Sequence, residues 1–104
     1  MILEEQSYLD SNLNLNKLSK QLDITDKKLS ALLNNHMNTS FYDYINSFRV
    51  QAVKEALLSN KHTTYTLLAI AFESGFNSKA SFNRAFKKET GRSPSQFRKE
   101  NINS

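Results

Sequence analysis

The sequence predicts an all-α fold of about seven helices. Only one proline and two glycines interrupt 104 residues, and apolar residues recur at spacings of three and four, the period of an amphipathic helix. A third observation is an internal repeat: residues 18–45 recur as 70–98 with one inserted residue, pairing Ile24 with Phe76, Leu29 with Phe82, Leu33 with Phe86, Ser40 with Ser93 and Tyr44 with Phe97. Gly75 and Gly91 fall where the first copy has Asp23 and Asn38. Those residue types also tolerate a left-handed backbone, so two sharp breaks are expected in each copy. Each unit then reads as a helix, a tight turn, a second helix, a break and the start of a third.

The elements follow in order. A first helix over roughly 2–9 would bury Ile2, Leu3 and Tyr8. Asn14 can cap a helix over 15–22 that turns Leu15, Leu18 and Leu22 inward, and Thr25 one over 26–37 with Leu29, Leu32 and Leu33 inward. Ser40 with Asp43 three residues on resembles a capping box, opening the longest helix, 41–58, with Phe41, Tyr44, Ile45, Phe48, Ala52 and Ala56 on one face. The segment 59–65 breaks the pattern and supplies Thr64 as the next cap. A helix over 65–73 buries Leu67, Ile70 and Ala71, and one over 78–89 buries Phe82, Ala85 and Phe86. Ser93, Pro94 and Gln96 combine a cap, a proline at the first helical position and a glutamine at the third, the cleanest start signal in the chain. The last helix would carry Phe97 inward and Arg98 outward, with Asn101–Ser104 frayed.

Composition narrows the function. The chain has no cysteine, which suits a reducing cytoplasm and excludes disulfide or cysteine-based zinc sites. His36 and His62 have no acidic neighbours at ligand spacing, so neither metal nor cofactor is expected. The longest apolar run, Leu67 to Phe72, is too short to span a bilayer, so no membrane contact by this segment is expected. The net charge of +4 is uneven. Residues 1–14 carry three anions, Glu4, Glu5 and Asp10, whereas 78–99 carry seven cations, Lys79, Arg84, Lys87, Lys88, Arg92, Arg98 and Lys99, against Glu89. Such a basic pole is either a solvated face or a surface awaiting a polyanion, for which a phosphate backbone is the usual candidate.

Two helices joined by a tight turn, the second partly basic, describe a DNA-reading helix-turn-helix, and the chain offers it twice. In each copy a small residue, Ser19 or Ala71, sits where the helices cross, and an apolar residue, Ile24 or Phe76, plugs the turn. With Phe82, Ala85 and Phe86 inward, helix 78–89 presents Ala80, Arg84 and Lys87 on its outer face, flanked by Ser81, Asn83 and Lys88. Arginine suits guanine, asparagine adenine, and an alanine methyl thymine. Helix 26–37 presents Lys27, Ala31 and Asn34, with Lys28, Ser30 and Asn35 beside them. Helix 41–58 spans roughly 27 Å at 1.5 Å per residue, which with the flanking units approaches the ~34 Å of one DNA turn.

The run from Ile70 to Arg98, with IA, GF, SF, R, FKK, G, SP and FR in order, resembles the signature of the AraC/XylS family of bacterial transcription regulators. Arg49, Val50, Lys54, Leu57 and Leu58 are similar to its linker-helix pattern. The resemblance covers about residues 8–99. It implies a DNA-binding domain of two homeodomain-like helix-turn-helix subdomains, here 10–40 and 64–100, joined by the linker helix 41–58 and acting on double-stranded DNA at promoters, often with RNA polymerase. It implies base contacts from Lys27, Lys28, Ser30 and Ala31, and from Lys79, Ala80, Ser81, Asn83 and Arg84. Backbone N–H groups at the helix starts by Ser40 and Ser93 would meet phosphates, and Arg49, Lys87, Lys88 and Arg98 would be phosphate or structural partners. The chain departs from the family pattern at Ala31, where arginine is frequent, at Asn34 and Asn35, where lysines are, and at Val53 and Ala56, a paired volume exchange.

Family members of this kind are commonly the C-terminal part of a longer protein, so an N-terminal sensor or dimerisation region is expected in the full-length protein. The alternative function is a helical protein-interaction module that keeps the fold without binding DNA. It would need a contiguous apolar patch on the outer face of helix 78–89, where the sequence has Arg, Lys, Asn and Ser. An enzyme is not expected, since no nucleophile and base stand at plausible spacing and no glycine-rich phosphate loop is present.

Overall fold

Side-chain caps set where the helices begin. In the computed structural model, which describes residues 7–58 and 66–102, a 3-10 turn Ser7–Leu9 precedes α1 (Leu15–Gln21), α2 (Asp26–His36), α3 (Phe41–Leu58), α4 (Leu67–Glu73), α5 (Lys79–Thr90) and α6 (Pro94–Ile102). Among the described residues there is no strand. Asn14, Thr25, Ser40, Thr66, Ser78 and Ser93 each accept a backbone N–H from three residues on, at 2.8–3.2 Å, which satisfies one of the donors that a helix start leaves over. At α6 the box closes both ways, since Ser93 N–H donates to Gln96 Oε1 at 3.0 Å. At α3 only half of it forms. The Asp43 carboxylate accepts instead from Lys88 Nζ at 2.8 Å.

Some expectations change, and others fall outside the described residues. Of the predicted helix 2–9, only the 3-10 turn Ser7–Leu9 lies within the described residues and Ile2 and Leu3 fall outside them; the described residues hold six α-helices. Thr64, the expected cap of α4, also falls outside, and the cap in use is Thr66, whose Oγ1 accepts from Ala69 N–H. Asn101 is helical, its Nδ2 donating to the Phe97 carbonyl at 2.8 Å, and Arg98 is half-buried instead of outward.

The repeat is legible as hydrogen bonds. In the first turn the N–H groups of Leu22, Asp23 and Ile24 reach the carbonyls of Leu18, Lys20 and Ser19; in the second those of Ser74, Gly75 and Phe76 reach Ile70, Phe72 and Ala71. Asp23 and Gly75 have φ of 57° and 104°, Asn38 and Gly91 of 51° and 75°, so all four expected left-handed positions are left-handed. The inserted residue is Asn77: the turn-plugging Ile24 directly precedes the cap Thr25, whereas Asn77 separates Phe76 from Ser78.

Two hydrophobic clusters share the linker helix. Leu13, Leu18, Leu29, Leu33, Tyr44 and Ile45 form the first; Val50, Val53, Leu57, Ile70, Ala71, Phe76, Phe82, Ala85 and Phe86 form the second. In the second the rings run as a chain, Phe76 to Phe82 to Phe86 to Phe97, with centroids 5.3–5.8 Å apart. Each fully buried Leu or Phe contributes roughly 1.5–3 kcal/mol. The small residues Ser19 and Ala71 are buried at the helix crossings, as expected. Val53 is buried in the second cluster, and the smaller Ala56 packs half-buried against it. The molecule measures 45 × 22 × 21 Å with a radius of gyration of 14.6 Å, longer than the ~13 Å of a compact chain this size.

Candidate nucleic-acid interface

Burying Phe82, Ala85 and Phe86 turns the opposite side of α5 to solvent. Lys79, Ala80, Asn83, Arg84, Lys87 and Lys88 are exposed and Ser81 is half-exposed. Burial of Leu29 and Leu33 does the same for α2, where Lys27, Lys28, Ala31 and Asn34 are exposed and Ser30 is half-exposed. Ser30 Oγ lies 3.4 Å from Asn34 Nδ2, one turn along. The exposed large apolar residues of the described chain are Leu9, Met37, Tyr42, Leu58 and Phe72, and none lies on the outer face of α2 or α5.

α2 is held against α1 by a polar brace absent from the second copy. Asp26, its first residue, accepts from Ser19 Oγ and from both carboxylate oxygens' shared partner Asn16 Nδ2, at 3.1 and 3.2 Å. These hydrogen bonds, Ser19 foremost, hold the Asp26 carboxyl below the ordinary carboxylate range. In the second copy the matching positions are Leu68, Ala71 and Lys79, so packing replaces the brace and a cation stands where the first copy has an anion.

The expected phosphate partners divide. Lys87 is exposed on α5, as is Lys88, which reaches across to Asp43 at the start of α3. Asp43, Tyr42 and Asn46 of α3 line an open groove of about 360 Å³ with Ser81, Arg84 and Lys88 of α5. At Ser93 the first turn has few donors left: Pro94 has no N–H, and the Ser93 and Gln96 amides are used within the box, which leaves the Ser95 amide. At Ser40 the Asp43 amide is likewise taken, leaving those of Phe41 and Tyr42. Such unpaired amides at a helix start suit an anion.

Of the two roles expected for Arg49, phosphate or structural partner, its surroundings fit the second. It is 9% exposed, with Nε donating to the Tyr8 carbonyl at 2.7 Å and a terminal nitrogen donating to the Asp10 carbonyl at 2.9 Å. Burial pushes its guanidinium down from the ordinary value, opposed by the Asp10 carboxylate, yet an arginine remains charged at neutral pH. It is a buried internal partner, not a surface group for phosphate. Elsewhere in the basic pole, Arg92 stands 3.2 Å from Glu100.

No metal-binding group of His, Asp and Glu occurs among the described residues, and none of their helices is long and apolar enough to cross a membrane.

The sequence model of the helix-turn-helix domain family, AraC type, matches residues 18–100. An uncharacterized HTH-type transcriptional regulator of Staphylococcus aureus (strain COL) is 31% identical over 91 residues, 88% of this chain and 12% of that protein. The Msm operon regulatory protein of Streptococcus mutans is 32% identical over 94 residues, 90% of this chain and 33% of that protein. The chain thus spans a minor part of these curated relatives. Among solved structures, the C-terminal domain of the two-component response regulator yesN from Fusobacterium nucleatum is similar with a TM-score of 0.76 and 33% identity, over 90% of this chain and 88% of that one. A protein of unknown function from Listeria innocua gives 0.77 and 35%, over 89% and 85%.

Proposed function

The chain belongs to the AraC/XylS family of helix-turn-helix transcription regulators, which act by binding DNA, and from that premise we propose that it reads two successive major grooves of one duplex with α2 and α5. The observation that carries the reading is the doubled unit: two second helices, each with a polar outer face free of large apolar residues, joined through one 18-residue helix. The 45 Å long axis leaves room for two probes one DNA turn, ~34 Å, apart. Each half supplies different chemistry, so the two half-sites differ in sequence and form no palindrome within one monomer's footprint.

Arg84 is the strongest base reader, gripping guanine O6 and N7, with Asn83, Ser81, Ala80 and Lys79 around it. Lys27, Lys28, Ser30, Ala31 and Asn34 give the first copy a softer readout, because alanine and asparagine stand where the family often has cations. Lys87, Lys88 and Arg98, with the amides that open α3 and α6, meet phosphates. In the full-length protein an N-terminal sensor or dimerisation region controls this domain, which contacts RNA polymerase at promoters; the much greater length of the curated relatives supports such a region.

Selection of bound sequences from a random duplex pool tests the reading. Two different short motifs at a fixed separation are expected. Recovery of one motif, or of none at low ionic strength, would overturn it.

A further inference from the structure

Three parts of the chain meet at the Tyr8 carbonyl. It accepts from Arg49 Nε, at the middle of the linker helix, and it lies against Gly75, in the turn of the second helix pair. A Cβ built on Gly75 would stand 2.1 Å from that oxygen and 2.8 Å from Arg49 Nε. The approach therefore requires glycine for space, besides its φ of 104°. Tyr8 joins the core of the first subdomain from just outside it, its ring stacked on Phe48 at 5.5 Å and packed against the first cluster. Arg49 stands in the chain between Ile45 of the first cluster and Val50 of the second, and among the described residues it is the one charged side chain that is buried. An arginine that donates to two main-chain carbonyls, 39 and 41 residues away in sequence, does more than fill space. Such a planar donor fork fixes direction as well as distance.

We propose that Arg49 is a positioning residue that sets which spacing of two DNA half-sites the protein accepts, by locking the first subdomain onto the turn that orients α5. This rests on the two-groove reading above. Two probes on a rigid frame engage a duplex together only when its half-sites match them in distance and in rotation about the axis. Each base pair added between the sites moves the second by about 3.4 Å along the duplex and turns it by about 35°. When both sites cannot be engaged at once, the gain from linking them, on the order of 10²–10⁴ in affinity, disappears. The sharpness of spacing discrimination is therefore a property of the lock, and it can be lost without loss of either reading surface.

The experiment uses the full chain and duplexes carrying the two selected motifs, with the spacer between them lengthened or shortened by one to three base pairs. Wild-type protein should lose affinity on the order of a hundredfold away from its preferred spacing. Arg49→Ala and Arg49→Lys, checked for cooperative melting and helical circular dichroism, should flatten that profile by at least about tenfold while still binding a duplex with the α5 motif alone as wild type does. Gly75→Ala, which keeps the arginine but crowds both the Tyr8 carbonyl and Arg49 Nε and so breaks their contact, should flatten it too, and it carries the test if the Arg49 variants do not fold. A profile that keeps its shape in the folded variants, with affinity lowered evenly at every spacing, would overturn the proposal and leave the two-groove reading standing. A flat wild-type profile would overturn both.

Discussion

Lys88 Nζ stands 2.8 Å from Asp43 Oδ2, which ties the last turns of α5 to the first turn of α3 across 45 residues of sequence. Both groups are substantially exposed, so the pair adds at most a few tenths to about 1 kcal/mol of stability. Its larger effect is on the proposed interface, where Lys88 would exchange the Asp43 carboxylate for a phosphate on binding. Lys88→Ala should weaken binding to any duplex and lower the slope of log K against log salt by about one. An unchanged slope would mean that Lys88 stays with Asp43 in the complex.

Arg84 is expected to behave differently, because the role proposed for it is base reading. Arg84→Ala should cost on the order of 1–3 kcal/mol on the preferred duplex and very little on unrelated sequence. Competition titrations with both duplexes measure the difference. Equal loss on both would remove Arg84 from base recognition.

The reciprocal box at α6 gives a stability prediction. Ser93→Ala removes the acceptor for Gln96 N–H and should cost about 1 kcal/mol, read as a lower denaturation midpoint in urea. No change in that midpoint would show that the Ser93 hydroxyl adds nothing to the helix start.

Asp26 should make the first helix pair acid-sensitive. Its folded pKa is lowered by hydrogen bonds from Ser19 and Asn16, so its contribution is fully present above the ordinary carboxylate value of about 4 and is lost as pH falls through the lower folded value. Asp26→Asn should therefore reduce the difference in melting temperature between pH 5 and pH 2.5. The same difference in both proteins would contradict the brace.

Much of this was legible in the sequence because the repeat carried it. Asp23, Asn38, Gly75 and Gly91 could be matched on residue type alone, and all four adopt positive φ. The repeat also held the cap of α4: the offset that pairs Ile24 with Phe76 carries Asn14 onto Thr66, the cap observed. Local pattern alone favours Thr64; the register of the repeat favours Thr66. The burial of Arg49 has a signal as well, for Ile45, Arg49, Val53 and Leu57 recur every four residues on the linker helix and all four are buried, whereas Phe48, Ala52 and Ala56 on the expected stripe are only half-buried. The Asp26 brace and the Lys88–Asp43 pair left no such trace. They join helix surfaces whose relative placement depends on tertiary packing, which local spacing does not encode.

Methylation interference on the selected duplex is the sharpest test of two-groove reading, because it marks guanine N7 positions that must stay open in the major groove. Two clusters are expected on one face of the duplex, centred about 10–10.5 base pairs apart, with the cluster under α5 weakened in Arg84→Ala. A single cluster within about half a turn would contradict it.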